Sequence, residues 1–533
     1  MDVLTTAKDY RQMYPHALIG GPMAHTLLAF LAFFAFLYVK SLEGRLPPSP
    51  GRAFPIIGHL MVAPKSDPWV TLTKWSRQLG PIFHINLAGQ LVVVLGTHKA
   101  AADLLDRRSV MYSDRPRNIV PNLFCGGLVF AFISYNEVWK RMRRASHEAL
   151  NSTISKKYRN NQQTESYLLA SQLLEKPEGW DNHLRRAGSS IARSIIYGLP
   201  PMLQSTNPDI ERVNHFVERA TSAAVPGAYW VEYFTWMEHL PRWMCAWRRY
   251  AEDWFNRDSA LFEKLFSDVE MRMHKGDQAG TSIMANIIEK ESKFGMSDRE
   301  AAWCAATLYA AGAETTAGQM AWVVMSMVLY PEVQKKAQAE LDRVIGRDRL
   351  PSFQDEDNLP FTRAIVREVL RWRGVGPLGI PHKLNQDDVY DCGSKTYYLP
   401  KDTIVIANAW AMNHDPDVWG PDADDFNPER HLDSSGQLKP ALRDTHDESH
   451  VTFGYGRRIC VGRHVANASL FIQTACILWA FNFSPCNNGE GVPDPDKFVD
   501  NGLIVRPEHF GCAIEPRFES VGEVILQTLE SGD

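Results

Sequence analysis

Apolar and polar spacing along the chain separates one long uncharged run from a body of mostly helical periodicity. Leu18 to Val39 carries no charge, and Thr26–Val39 (TLLAFLAFFAFLYV) is almost wholly apolar until Lys40 stops it. About 20 apolar residues in a helix span the hydrocarbon layer, so the run predicts one N-terminal transmembrane helix. A cleaved signal segment is the rival reading, but no small-x-small cleavage pattern precedes Lys40. Lys40, Arg45 and Arg52 outnumber Lys8 and Arg11, which places the body on the cytosolic side. Leu46-Pro47-Pro48-Ser49-Pro50-Gly51 cannot continue a helix and holds the body at a set angle. The expected division is an anchor and hinge over residues 1–45 and one large domain over 46–533. No second uncharged run of this length follows, so the chain crosses a membrane once at most.

The body reads as mainly α with a small β region. Strands are expected near Ile82–Leu95 and Thr403–Asn408. The most legible helix opens at Ser297-Asp298-Arg299-Glu300, a capping box, and runs through apolar and small residues to Tyr330, where Pro331 ends it. At 1.5 Å per residue it is about 48 Å long, enough to cross a domain. Gly312 interrupts it, at a cost of ~1 kcal/mol against alanine. The glycine serves either close helix packing or a local opening beside a bound group. Further helices are expected over Pro331–Ile345 and Phe361–Arg373. The second sets Glu368 and Arg371 on one face, a pair that contributes little where it is solvated.

Composition narrows the function classes. Apolar residues are 45% and charged residues 22%, with 57 basic against 62 acidic side chains. That balance offers no polyanion-binding surface and argues against a nucleic-acid partner. None of the eight cysteines forms a C-x-x-C pair, and they are scattered over the whole chain. A zinc site and a disulfide scaffold are both disfavoured, leaving reduced, buried thiols as the ordinary reading.

Cys460 departs from that reading through its neighbours, Phe453-Gly454-Tyr455-Gly456-Arg457-Arg458-Ile459-Cys460-Val461-Gly462. The glycines allow tight turns and close approach to a flat ligand. A position just ahead of a helix, here one running to about Phe481, is expected to lower a thiol pKa. Arg458 is placed to pair with a carboxylate on the ligand. A thiolate so held suits haem iron.

These residues resemble the haem loop of the cytochrome P-450 family, F-x-x-G-x-R-x-C-x-G. Four other stretches match family motifs in order: Trp139-Lys140-Arg141-Met142-Arg143, Ala311-Gly312-Ala313-Glu314-Thr315, Glu368-Val369-Leu370-Arg371 and Phe426-Asn427-Pro428-Glu429-Arg430. His431 stands where an aromatic residue is commoner. The wording of Ile380–Lys383 and Ala409–Pro416 is similar to fungal members of secondary metabolism, the O-methylsterigmatocystin oxidoreductase-like group.

The resemblance implies the cytochrome P-450 fold and a monooxygenase with haem b. Cys460 would be the axial ligand, and Trp139, Arg143, His382 and Arg458 would hold the propionates, ordinary packing being the alternative for Trp139 and His382. Thr315 would hydrogen-bond dioxygen and Glu314 would relay protons to it. Glu368, Arg371 and Arg430 would form a structural cluster.

Electrons would come from NADPH–cytochrome P-450 reductase at the endoplasmic reticulum membrane. Lys140, Arg141, Arg144 and Arg457 are candidates for its docking face, or a plain solvated face. An apolar small-molecule substrate would meet Asn118–Phe132, Arg212–Val225, Leu308, Ala311, Val375–Ile380 and Asn501–Val505. The aromatic stretch Tyr229–Trp247 would enter the lipid interface or pack in the core. Two rivals remain: a haem-thiolate isomerase or dehydratase that needs no reductase, and a non-catalytic haem carrier.

Overall fold

The capping box forms as the sequence predicts. Ser297 Oγ accepts from Glu300 N at 3.3 Å and the Glu300 carboxylate accepts from Ser297 N at 3.2 Å, starting a 32-residue helix over Asp298–Leu329. In the computed structural model this helix is the axis of the body. The structure describes residues 45–531, apart from 55–56, 204–207, 225–227, 233, 277–281, 394, 487–491 and 501–503. The apolar run Leu18–Val39 lies outside the described residues. Among those described, no helix is long and apolar enough to cross a membrane.

Numbering the elements used below in chain order, the helices are α1 Pro68–Leu79, α2 Ile119–Cys125, α3 Glu137–Leu150, α4 Arg159–Glu175, α5 Trp180–Tyr197, α6 Pro208–Ala224 and α7 Ala246–His274. After α8, Asp298–Leu329, come α9 Pro331–Val344, α10 Pro360–Trp372 and α11 Arg463–Ala480. The strands are β1 Ile82–Leu87, β2 Gln90–Leu95, β3 His382–Lys383 and β4 Ile404–Ala407. They form one sheet in the order β1-β2-β4-β3, with β2 and β4 parallel and the other pairs antiparallel. Among the described residues, three further two-stranded sheets complete a mainly helical fold. The strands expected near Ile82–Leu95 form a hairpin, whose turn residues Ala88 and Gly89 both take positive φ, 50° and 92°, as a tight hairpin turn needs.

Two cores share α8. Its first half, Ala301 to Ala313, packs with α3, α5, α6 and α7. Its second half, Met320 to Val328, packs with α5, α10 and α11. Between them, Ala311 is exposed and Gly312, Glu314 and Thr315 are partly exposed, although the helix is internal. Leu308, Ala311, Gly312 and Thr315 make an open face at i, i+3, i+4 and i+7 spacing, with Glu314 at its edge.

The helix is unbroken at Gly312, so the expected local opening is not there. A Cβ at Gly312 would meet only Ala192 Cβ, at an ordinary 3.5 Å. The close contact belongs instead to Gly188 on α5, where a Cβ would lie 2.7 Å from the Ala313 carbonyl oxygen.

Glu368 and Arg371 are fully buried, not solvated. The Glu368 carboxylate accepts from Arg371 twice, at 2.7 and 2.8 Å, from Arg430 at 2.9 Å, from Asn427 N at 2.8 Å and from His431 Nε2 at 2.9 Å. Burial alone would raise this carboxyl, but Arg371 and His431 hold it down to about 2. His431, the departure from the family pattern, thus fills a structural place as a further donor to Glu368. Arg371 donates onward to the Asn413 carbonyl at 2.6 Å. The Asn413 side chain then holds Val451 N and Thr452 Oγ1, each at 3.1 Å. The cluster ties α10 to the start of the cysteine loop, which is why it is structural.

A paired substitution tests the glycine assignment. Gly188→Ala should destabilise the protein by ~1–3 kcal/mol, the usual cost of overpacking. Gly312→Ala should be neutral or stabilising by up to ~1 kcal/mol. Denaturant unfolding of the two variants separates them.

Candidate active site

The loop before α11 is shaped by its neighbours as much as by its own glycines. Gly456 takes φ +61°, and a Cβ there would lie 2.0 Å from the Leu105 carbonyl oxygen, so no larger residue fits. Gly456 N donates to Asp106 Oδ1 at 2.6 Å, and Cys460 N donates to the Phe453 carbonyl at 2.8 Å. These bonds close the loop and present the Cys460 sulfur.

Cys460 is exposed by area, yet protein crowds it closely enough for burial to dominate its thiol. The pKa is raised by that burial, while the Gly462 amide, Arg143 and Arg463 pull it down. The lowered thiol pKa expected from its place ahead of α11 is therefore corrected. The Gly462 amide ahead of α11 acts in the expected direction, but desolvation outweighs it.

Three guanidinium groups converge beside this loop. Arg458 donates to the Ser113 and Ile133 carbonyls at 2.8 and 2.7 Å and lies 4.3 Å over the Trp139 ring. Arg143, one turn after Trp139 on α3, donates to the Ile459 carbonyl at 2.7 Å. Arg115 is buried and donates to the carbonyls of Ala131, Ile380 and Pro381 at 2.6–2.9 Å. Burial lowers all three: Arg115 well below its ordinary value, with Arg458 adding repulsion, Arg143 to about 10 and Arg458 to about 9. Asp114, the nearest carboxylate, is already paired with Lys383 at 3.0 Å.

His382 completes the group. Burial and the charge of Arg115 lower its pKa to about 3, and its Nδ1 faces the Tyr112 carbonyl at 2.8 Å. Nδ1 therefore carries the proton, leaving Nε2 a lone pair. A neighbouring carboxylate would favour the charged ring, with Nε2 donating.

The chemistry of this donor set decides whether haem fits. Buried cations with only carbonyl partners are costly unless an anion joins them. Each guanidinium has five N–H donors, more than these bonds use. The two propionates of haem would supply the missing negative charge, with Cys460 on the same side of the fold. The residues fit the group.

Trp139, Arg143, His382, Arg458 and Cys460 are thus brought together. Arg115 joins them and was missed in the sequence. Its one local signal is Pro116, which holds it in extended backbone; its role appears only when the Asp114–Lys383 bridge sets it beside His382. Glu314 and Thr315 make no direct contact with Cys460 among the described residues. They lie on the open face of α8, and Val461 shares a core cluster with Ala310 and Ala313. Thr315 Oγ1 donates to the Ala311 carbonyl at 2.7 Å. Glu314 turns toward α5, where Arg185 lies 3.5 Å from its carboxylate.

The expected substrate-contacting stretches are partly described. Asn118–Phe132 contains α2, Arg212–Val225 lies mostly in α6, and both pack on α7 or α8. Val375 and Ile504 meet α8 at Gly318, whereas 501–503 and 225 lie outside the described residues. Glu232 caps α2, accepting from Ile119 N at 2.9 Å and Val120 N at 2.7 Å, and Arg117 pairs with Glu238. The aromatic stretch is thereby fastened down with Trp230, Trp236 and Trp243 turned outward, 72%, 62% and 76% exposed. Core packing explains Trp247 but not these three. Of the basic candidates, Lys140 pairs with Glu137 and Arg141 with Glu300, both at 2.7 Å. Arg457 bonds Tyr135 Oη, and Arg144 is exposed.

Replacing Arg115 by Met should act in opposite directions on two states. Haem retention should weaken by roughly 10- to 100-fold, the loss of a charge-assisted bond. The haem-free protein should be as stable or more so, since an uncompensated buried charge is gone. Haem-to-protein ratio and unfolding of both forms check the pair.

The Cytochrome P-450 family profile matches residues 47–512. A cytochrome P-450 monooxygenase of Armillaria gallica is 47% identical over 509 residues, covering 95% of this chain and 96% of its own. Cytochrome P-450 monooxygenase 58 of Postia placenta is 44% identical, covering 96% of each chain. Cytochrome P-450 monooxygenase iboC of Amanita muscaria is 35% identical over 91% of this chain and 93% of its own. With a glycine-shaped cysteine loop beside a cluster of buried and partly buried arginines, and relatives aligned over nearly the whole length, the chain belongs to the cytochrome P-450 family, oxidoreductases that bind haem iron through a cysteine thiolate.

Proposed function

We propose that this chain hydroxylates, or oxidises in successive steps, an apolar small molecule of terpenoid or polyketide type in fungal secondary metabolism. Cys460 is the iron ligand, and Arg115, Trp139, Arg143, His382 and Arg458 hold the propionates. The observation that carries the reading is the set of guanidinium groups around the cysteine loop, Arg115 buried and Arg143 and Arg458 partly buried, which call for a dianionic ligand there. When bound, haem supplies the oxidising chemistry, reducing dioxygen with two external electrons and two protons so that one oxygen atom enters substrate and the other leaves as water.

The residues of this chain supply the rest. The open face of α8, with Leu308, Ala311 and Thr315, binds and orients an apolar substrate and excludes water from the reacting side. Burial raises the Glu314 carboxyl, while Arg185 opposes the rise. A raised carboxyl holds its proton more readily than a free one, which suits a group that passes a proton on. Thr315 Oγ carries the hydroxyl that receives it.

Residues 1–45 tether the catalytic domain, 46–533, to the endoplasmic reticulum membrane on its cytosolic side. The outward Trp230, Trp236 and Trp243 support a second lipid contact, since tryptophan favours the interface. NADPH–cytochrome P-450 reductase at the same membrane delivers the electrons. Arg144 and Arg457 are the better docking candidates, because Lys140 and Arg141 are neutralised within the chain.

Reconstitution with reductase tests the reading. Product should require NADPH and dioxygen and carry one oxygen atom from it. Thr315→Ala should lower product formed per NADPH on the order of 10²-fold. Turnover of a lipid hydroperoxide without reductase would favour the isomerase or dehydratase instead.

A further inference from the structure

Cations short of an anionic partner also gather away from the cysteine loop. The first half of α10 and the segment 437–447 enclose a solvent-facing depression of about 570 Å³. Arg363 and Arg367, one turn apart on α10 and so on one face of it, form one wall, and Lys439 stands on the other. Among the described residues, Asp447 is the one carboxylate that lines it.

None of the three cations is firmly paired. Arg367 is half-buried, and among the described residues its side-chain hydrogen bond goes to the Lys439 carbonyl at 3.2 Å. Burial and the charge of Arg363 lower the Arg367 guanidinium, with Glu448 opposing. Glu448 is itself engaged, accepting from Asn467 at 2.7 Å and facing Arg463 at 3.8 Å. Lys439 Nζ donates to the Arg430 carbonyl at 3.0 Å. Arg363 lies 3.5 Å from Asp357, whose side chain is 95% exposed, and an ion pair so open to water contributes little.

The backbone does not supply the attraction here. Glu340 accepts from Phe361 N and Thr362 N at 2.8 and 2.9 Å, so these amides at the start of α10 are already taken. What remains is a set of side-chain donors from both walls. A guanidinium is a planar fork that matches two oxygens of one anion. Two such forks side by side suit a group with several oxygens better than a halide or a single carboxylate. The depression has room for more than one phosphate group, and Leu438 and Pro440 give it an apolar margin. Asp447 opposes an anion, but three cations outweigh it.

We infer that this depression is a binding site for a phosphate-type oxyanion, a diphosphate or a phosphomonoester, held by Arg363 and Arg367 with Lys439 at the rim. A soluble phosphate compound and a phospholipid headgroup share that chemistry. Because the donors come from both α10 and the 437–447 segment, an occupant joins the two and stabilises the folded state in proportion to its concentration.

The test uses the full-length, haem-loaded protein, so that the arginines around the cysteine loop already have their ligand. Inorganic pyrophosphate is titrated calorimetrically in phosphate-free buffer, and binding should saturate at a one-to-one ratio. Arg363→Gln and Arg367→Gln should each weaken it roughly 10-fold or more, the loss of a charge-assisted bond, and Lys439→Gln should weaken it less. Lys335→Gln, at an exposed lysine on α9 that pairs with Glu332, should change nothing. Haem content and the carbon monoxide spectrum should be unaltered in every variant, which separates loss of the site from loss of the fold. If Arg367→Gln loses haem, Arg363→Gln, at a side chain on the helix surface, still decides. Short-chain phosphatidic acid below its micelle concentration is the second probe. Tighter binding than pyrophosphate assigns a lipid headgroup and weaker binding a soluble phosphate compound, and either upholds the site when the arginine variants weaken it. No saturable binding of either probe, or binding that both arginine variants leave unchanged, would overturn the inference. Slower reduction by reductase in those variants, with no binding of either probe, would make the depression part of the electron donor's face and overturn it as well.

Discussion

Positive charge drawn into the fold with only Asp114, itself paired with Lys383, to oppose it is the constraint on which the active-site region depends. Arg115, Arg143 and Arg458 are held by backbone carbonyls, repel one another, and are lowered by burial in consequence. A protein gains no stability from such an arrangement by itself. Its sense lies in a ligand with two carboxylates, and the pocket is built around that need. Arg458 also ties the cysteine loop to the segment before α3, and Arg143 ties α3 to the loop at the Ile459 carbonyl. The groups that would neutralise the ligand therefore also brace the loop that carries Cys460.

The scaffold behind the loop rests on the opposite arrangement, a buried anion with a full set of donors. Glu368 is saturated by Arg371, Arg430, His431 and the Asn427 amide, and its charge is retained because every lone pair is used. From there the restraint passes through Arg371 to Asn413, and through Asn413 to Val451 and Thr452. One cluster needs nothing from outside the chain, and the other is complete only with a ligand. This difference separates structural charge from functional charge in the same region.

Local chemistry made much of this legible in the sequence. The capping box, the proline after α8, the glycines of the cysteine loop and the three-residue spacing of Glu368 and Arg371 all act within a few residues of themselves. What depends on distant partners was hidden. Arg115 gains its place only through the Asp114–Lys383 bridge, and Glu314 meets Arg185 only when α5 lies along α8. The burden of close packing fell on Gly188 because the facing backbone, not the helix carrying Gly312, is the crowded side. The outward tryptophans could not be told from core residues until Glu232 and Glu238 were seen holding their segment to α2 and Arg117. The thiol of Cys460 shows the same limit: its helix-end position was readable, but the extent of its burial was not.

The account turns on sulfur ligation by Cys460. The most direct measurement is the absorption spectrum of the reduced, full-length protein under carbon monoxide. It should show the red-shifted Soret band that marks a thiolate on haem iron, and Cys460→Ala should lose that band. The same red-shifted band in Cys460→Ala, or its absence from the haem-loaded parent protein, would contradict the account.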